Sequence, residues 1–308
     1  MQTISNAMQK LSGYLVGFWH FETIGIALRF DLFDHLPSSL EDLEQKLSVP
    51  KENLNRLLRA LWELDLVESG PIWQLSEMGL LLQSDQPLAS AAKMWAQVQG
   101  TWESLDVKLR SKPAHHPTFK ELSNDQKALK TYKSALEGYA LTDFADIGRW
   151  PTWATHPKIA ILGQTGITLA RLIRDSHPID VITLNEDLPI YQESTSHFIK
   201  PKEPWNIDAY AVIFPRYLHY YPDEDAIEIL KRAKEVCDKI YVFEMLLDPE
   251  TPSGALLDLN MLAEAGGGLR TLSSFEKIFN AAGFQIEKTY EVHPHLHLIT
   301  GEAHARRL

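Results

Sequence analysis

A short apolar run that ends in a glycine-containing turn constrains the fold of this chain more than any other stretch. It occupies residues 158–170, KIAILGQTGITLA. Four apolar residues, 159–162, lead into the tetrapeptide GQTG at 163–166, and an amphipathic segment follows. This order predicts a strand, a turn and a helix, which is the opening βα unit of a nucleotide-binding type of α/β domain.

From residue 158 onward, apolar runs of strand length alternate with segments of helical periodicity. Such alternation predicts a mostly parallel sheet with helices on both faces, and ligands at the carboxyl ends of its strands. Further strands are predicted at 181–184, 209–214, 239–244, 285–292 and 295–299, and helices at 225–237 and 271–282.

The first 150 residues are predicted to be mainly helical. Apolar side chains recur at helical spacing up to Leu66, and two short strands around Gly70-Pro71 follow, which is a winged-helix pattern. The helix predicted at 52–66 carries charges of both signs, so a dimer surface or pocket wall is favoured over DNA binding. We therefore predict a helical domain over 1–150 and an α/β domain over 151–308, with the linker at 151–157.

Charge and composition exclude several classes of partner. The net charge of −11 disfavours nucleic-acid binding, and no apolar run is long enough to span a bilayer. A single cysteine, Cys237, fits a reducing cytoplasm. No metal is predicted, because neither of the two histidine clusters in the sequence has supporting carboxylate or cysteine ligands. Those clusters are His115-His116 and the alternating set His293, His295 and His297.

Several motifs together resemble the small-molecule O-methyltransferases, typified by plant caffeate and flavonoid enzymes and their bacterial natural-product relatives. The resemblance covers nearly the whole chain. Its most specific part is a block near the carboxyl end, DLNML at 258–262 followed by GGGLRT at 266–271. The other motifs are RFDLFD at 29–34, Trp102 with Leu105, Leu218-His219 followed by PDED at 222–225, Phe275, and AGF at 282–284.

The resemblance implies a Rossmann-like class I methyltransferase domain that is preceded in the chain by an N-terminal, winged-helix-type dimerisation domain. It also implies S-adenosylmethionine (SAM) as cofactor, a hydroxylated small molecule as substrate and a homodimer formed through the N-terminal helices. His219 matches the histidine that removes the hydroxyl proton, and a neutral imidazole suits that task near pH 7. Glu244, at the end of a predicted strand, matches an acid that orients this histidine. The family's second orienting acid is replaced by Leu269.

The cofactor loop departs from the family pattern Asp-x-Gly-Gly-Gly-x-Gly. Gly163 and Gly166 remain, but Ala160 replaces the acid, and Leu162 and Gln164 replace two glycines. Glycine serves in such loops because it allows positive φ and a close approach of the backbone to the ligand. The space beside Gly163 is therefore either open to the methionine part of SAM or filled by the protein itself.

The acid that binds the ribose of the cofactor is predicted to be Asp187, in the tripeptide Asp187-Leu188-Pro189, with Glu186 as the alternative register. Only 20 residues, 188–207, separate it from Asp208, and they lack the Gly-Asp pair that reads the adenine in the family.

Three functions stay open at this point. The first is a SAM-dependent O-methyltransferase acting on a hydroxylated small molecule of secondary metabolism, with His219 as general base. The second is an enzyme of the same fold repurposed for a non-methylating reaction, such as a cyclisation, elimination or hydrolysis. The third is a non-catalytic partner subunit.

Overall fold

The structure, a computed structural model, describes residues 2–112, 125–186, 196–294 and 296–304, with backbone alone at 2–4, 97–99, 185–186 and 196–198. The chain forms two compact units, residues 1–97 and 98–308. No helix among the described residues is long and apolar enough to cross a membrane.

The first unit is helical with one small antiparallel hairpin. Its core is made of fully buried leucines and Phe33, which the helical spacing of the sequence brings onto one side of each helix. Ser39 caps α3 by accepting a hydrogen bond from the backbone N–H of Asp42. The elements are α1 (Gln2–Val16), α2 (Phe18–Arg29), α3 (Leu40–Leu47), α4 (Lys51–Glu63), β1 (Val67–Glu68), β2 (Gln74–Leu75), α5 (Glu77–Leu80) and α6 (Pro87–Val98).

A seven-stranded sheet forms the centre of the second unit. Its strands are β3 (Lys158–Leu162), β4 (Asp180–Glu186), β5 (Ser196–Ile199), β6 (Ala211–Pro215), β7 (Lys239–Glu244), β8 (Phe284–His293) and β9 (Leu296–Ala303). They lie in the order β5-β4-β3-β6-β7-β9-β8. The first five of these are parallel, and β9 is antiparallel to both β7 and β8. The predicted mostly parallel sheet is confirmed.

Apolar clusters on both faces of this sheet hold the helices of the second unit. One cluster contains Phe214 and Phe279, and the other contains Phe144, Trp153 and Phe243. The strands between them are buried on both faces, which explains their unbroken apolar runs. The helices are α7 (Leu105–Leu109), α8 (Gln126–Phe144), α9 (Gly163–Ser176), α10 (Asp223–Val236), α11 (Ala255–Ala265) and α12 (Leu272–Ala282).

The structure differs from the predicted division at residues 150 and 151, because the compact units meet at residues 97 and 98. Phe144, at the end of α8, packs edge-to-face on Phe243 with ring centroids 5.6 Å apart. Trp153, in the segment predicted as a linker, is fully buried against Tyr241 at 5.3 Å. These aromatic side chains bury large apolar areas on the sheet, so α8 and the 151–157 segment belong to the second unit.

Candidate active site

The strands that carry the predicted site residues end at one edge of the sheet. β3 ends at Leu162, β6 at Pro215 and β7 at Glu244, and these three strands are parallel neighbours. A short 3₁₀ helix, Leu218–Tyr220, follows β6 and carries His219. Because parallel strands place their carboxyl ends together, Glu244 and the His219 turn face each other across adjacent strands.

His219 and Glu244 form a buried hydrogen-bonded pair. Nδ1 of His219 lies 2.7 Å from Oε2 of Glu244, and the two residues are 3% and 0% exposed, respectively. An ionised carboxylate can only accept, so the hydrogen of this bond belongs to Nδ1. The lone pair of the neutral ring is then on Nε2, which makes Nε2 the nitrogen able to take a proton from a substrate.

The second oxygen of Glu244 fixes the backbone of the same turn. Oε1 accepts hydrogen bonds from the backbone N–H of Leu218 at 2.8 Å and from that of His219 at 3.2 Å. Both carboxylate oxygens therefore act on one turn, so Glu244 sets the position of the imidazole as well as its tautomer. The sequence pointed to this residue because it ends a predicted strand and matches the orienting acid of the family that the chain resembles.

Arg270 and Gly267 clamp the other side of the His219 turn. The guanidinium of Arg270 donates to the carbonyl oxygens of Leu218 at 2.9 Å and Tyr221 at 2.6 Å, and to Oδ1 of Asp223 at 2.8 Å. A Cβ on Gly267 would lie only 2.0 Å from the carbonyl oxygen of His219. The GGGLRT block therefore supports the histidine turn, a role that its sequence alone did not reveal.

The residue that replaces the second orienting acid takes no polar part. Leu269 is buried, and its backbone N–H donates to Oδ1 of Asp258 at 2.7 Å. An apolar side chain cannot accept a hydrogen bond or stabilise an imidazolium. Among the described residues, Glu244 is the hydrogen-bond partner of the His219 ring.

A second buried carboxyl group lies on α11 and was missed from the sequence. Glu264 accepts from Nδ2 of Asn260 at 2.5 Å, and Oδ1 of Asn260 accepts from Nε1 of Trp102 at 3.0 Å. Burial raises the pKa of Glu264 to about 7. Burial also raises the pKa of Tyr220 to about 12, and the nearby Glu264 carboxylate contributes to that rise. An acid four residues after an asparagine, in a mostly apolar helix, was the available signal.

The cofactor loop is shorter than the sequence suggested, because β3 passes directly into α9. Gly163 begins the helix in the left-handed region, with φ of 79°. Gly166 allows close packing, since a Cβ there would lie 2.9 Å from Cγ2 of Ile161. The two retained glycines thus serve the turn and the contact between helix and strand. The predicted ribose-binding Asp187 directly follows β4 but is outside the described residues.

A protein side chain packs closely against Gly163. The ring of Tyr217 covers it: a Cβ on Gly163 would lie 2.7 Å from Cδ2 of that ring. Leu162 is fully buried in the same apolar cluster, together with Trp205. Ala160 offers no carboxylate. With Tyr217 in this position, the described side chains beside Gly163 are apolar or aromatic, and they offer no carboxylate to the methionine part of SAM.

Comparisons with known proteins agree with this architecture. An O-methyltransferase domain family matches residues 194–285. Strychnine O-methyltransferase of Strychnos nux-vomica is 28% identical over 270 residues, covering 80% of this chain and 67% of the relative. Mitomycin biosynthesis 6-O-methyltransferase of Streptomyces lavendulae is 23% identical over 319 residues, covering 92% and 90%.

The fold is also that of solved methyltransferases. The crystal structure of human N-acetylserotonin methyltransferase in complex with SAM superposes with a TM-score of 0.83 at 19% identity, covering 96% of this chain and 97% of that one. At this level of identity the likeness establishes the fold. The predicted Rossmann-like class I fold with an N-terminal helical region is thereby confirmed, and the family resemblance read from the sequence is supported by the sequence relatives.

Proposed function

We propose that this chain, which is similar to small-molecule O-methyltransferases, is a SAM-dependent O-methyltransferase of secondary metabolism. Its substrate would be a hydroxylated small molecule, and His219 would be the general base. The observation that carries the proposal is the buried pair of His219 and Glu244 at 2.7 Å. SAM would supply the methyl group, and the chain's own residues would handle the proton.

The proton step follows from the geometry of the pair. Nδ1 of His219 donates to Glu244, so Nε2 accepts the proton of a substrate hydroxyl placed within hydrogen-bond reach. The ring then becomes an imidazolium, and the adjacent carboxylate stabilises its positive charge. Burial of both residues strengthens this electrostatic interaction relative to water. Glu244 thus acts on the base before and after proton transfer.

A repurposed enzyme without methyl transfer is the second candidate, and a specific observation favours it. The Tyr217 ring covers Gly163, and Leu162 is buried where a glycine would leave space. His219 and Glu244 would serve equally well to start an elimination or cyclisation by removing a proton. A non-catalytic partner subunit is the third candidate, and the positioned buried base argues against it.

The N-terminal helices are proposed to form a homodimer. Among the large apolar side chains of α1 and α2 that are more than half exposed in the isolated chain, four form a candidate contact surface. They recur at helical spacing, which places them on one stripe along the helices. In a monomer this apolar stripe would be exposed to water. These side chains are Leu11, Leu15, Phe18 and Trp19. A cytoplasmic location is also proposed, because a chain with one cysteine has no internal disulfide and suits a reducing compartment.

Calorimetric titration with SAM, combined with a product assay, tests the proposed function. Binding tighter than about 100 μM, roughly −5.5 kcal/mol, would support methyl transfer. Incubation with SAM and a panel of phenols and hydroxylated alkaloids should then yield S-adenosylhomocysteine and a methylated product by mass spectrometry. If SAM does not bind at millimolar concentration, methyl transfer is excluded and the non-methylating candidate takes its place.

A further inference from the structure

The chain leaves β6 through a residue with an unusual backbone conformation. Arg216 has φ of 52°, in the left-handed region that side chains other than glycine seldom adopt. Its backbone N–H donates to the carbonyl oxygen of Phe243 at 2.8 Å, and its Nη1 lies 2.8 Å from Oδ2 of Asp143. Its guanidinium also lies 5.7 Å from the ring centre of Tyr139. Contacts to β7 and α8 therefore hold the turn that aims Tyr217.

The side chain of Tyr217 is fixed along its whole length. It is 6% exposed, and its hydroxyl oxygen lies 2.9 Å from that of Tyr221. Its ring centroid lies 5.3 Å from that of Tyr221 and 6.3 Å from that of Phe214. Packing of this density leaves little freedom to the ring without movement of its neighbours. The edge of the ring rests on Gly163.

The contact between Tyr217 and Gly163 lies where the strand order of the sheet reverses. Strand order reverses between β3 and β6, because β4 and β5 extend the sheet on one side of β3 and β6 lies on the other. In open α/β sheets the ligand crevice lies at this switch point, outside the carboxyl ends of the strands. Gly163 follows β3, and Tyr217 follows β6 by two residues. The contact between the ring and Gly163 therefore lies at the switch point, where sheets of this kind bind nucleotide-type ligands.

We propose that Tyr217 is a specificity-determining residue that plugs the cofactor crevice with its ring and so lowers the affinity of this protein for SAM. The inference rests on the proposed function only in placing the methionine part of SAM beside Gly163. Removal of the ring should open the crevice.

The test compares SAM and S-adenosylhomocysteine binding, by calorimetry, in wild type, Tyr217→Val and Tyr217→Phe. We expect at least tenfold tighter binding in Y217V, because valine withdraws the ring from Gly163. Y217F keeps the ring and loses only the hydroxyl, so its dissociation constant should stay within about threefold of wild type. Tyr217→Leu, which retains more buried volume, replaces Y217V if thermal unfolding shows that the valine variant is not folded.

Folded Y217V and Y217L proteins that bind SAM no more tightly than wild type overturn the inference. Wild-type binding with a dissociation constant below about 10 μM overturns it as well, while supporting methyl transfer. The proposed role of His219 as general base is tested separately: His219→Ala should lose turnover, and unchanged turnover would contradict that role. An experiment that refutes the role of Tyr217 can therefore be distinguished from one that refutes the proposed function.

Discussion

Glu244 binds His219 through both of its carboxylate oxygens, one at the ring nitrogen Nδ1 and the other at the backbone N–H. A single acid therefore controls the orientation, the tautomer and the backbone position of the proposed base. Replacement of His219 should remove the base and leave the fold largely intact. We expect His219→Asn to lower kcat by about 10²–10⁴-fold, the range for loss of a general base.

A matched control for His219→Asn exists within the same unit. His156 is also buried, and its Nε2 lies 2.7 Å from the hydroxyl of Tyr241, but it precedes β3 at the opposite edge of the sheet. His156→Gln should leave kcat within about twofold, since it is remote from the strand ends that form the site. Equal loss of activity in both variants would point to destabilisation and would contradict a catalytic role for His219.

Glu244→Gln tests the tautomer argument. An amide presents an N–H group as well as an oxygen, so the new glutamine side chain can bind the two backbone N–H groups and donate toward Nδ1 of His219. The ring then carries its proton on Nε2, where it cannot accept one from the substrate. We expect a fall in kcat of about 10²–10⁴-fold, with little change in KM. A KM effect without a kcat effect would show that Glu244 serves substrate binding instead.

The ends of the parallel strands were predictable, and so were the residues placed on them. Buried apolar runs locate strands such as β7, and its last residue, Glu244, had to lie at the ligand edge of a parallel sheet. The strand β5 was missed, because four residues with a mixed pattern give too short a signal for periodicity.

The parts of the site that depend on distant contacts could not be predicted. The position of Tyr217 depends on the left-handed Arg216, whose conformation is held by Asp143, 73 residues away. Similarly, Arg270 reaches the carbonyl oxygen of Leu218 across 52 residues. Local patterns carry no information on such pairings, so the sequence identified which loop residues had changed but not what filled the space beside Gly163.

The clamp around the histidine turn predicts a steric effect at Gly267. An added Cβ would lie 2.0 Å from the carbonyl oxygen of His219, so Gly267→Ala must displace the turn. We expect a loss of about 1–3 kcal/mol in the free energy of unfolding and a lowered kcat. Gly100→Ala, where a Cβ would meet nothing within 4 Å, is the matched control and should change neither. Chemical denaturation and kinetics would measure both, and an unaffected Gly267→Ala enzyme would contradict the clamp.

Glu264 should make stability depend on pH. Burial raises its pKa from an ordinary value of 4.5 to about 7, so between these values the folded state binds more protons than the unfolded chain. Its contribution to stability is therefore present at low pH and is lost as pH rises through about 7. The shift corresponds to roughly 3 kcal/mol.

The variant Glu264→Gln isolates the contribution of Glu264 to the pH dependence of stability. Glutamine is neutral at every pH used, and it keeps the oxygen that accepts from Asn260. Urea denaturation at pH 4.5 and pH 8 should show wild type losing roughly 3 kcal/mol relative to E264Q over this interval. Parallel stability curves for the two proteins would show that folding does not shift the pKa of Glu264, and they would contradict this prediction.

The exposed apolar stripe on α1 and α2 predicts a dimer that charge can disrupt. Leu15 and Trp19 are 68% and 58% exposed in the isolated chain, and burial of such side chains against a second copy supplies a large part of a dimer's stability. Leu15→Glu combined with Trp19→Glu should convert the dimer to a monomer, because burying two unpaired carboxylates is strongly unfavourable. Light scattering after size-exclusion chromatography measures the mass directly. Leu256→Glu, at a leucine that is 79% exposed in the second unit, is the control and should leave the dimer intact. A wild-type protein that runs as a monomer at micromolar concentration would refute the proposed interface.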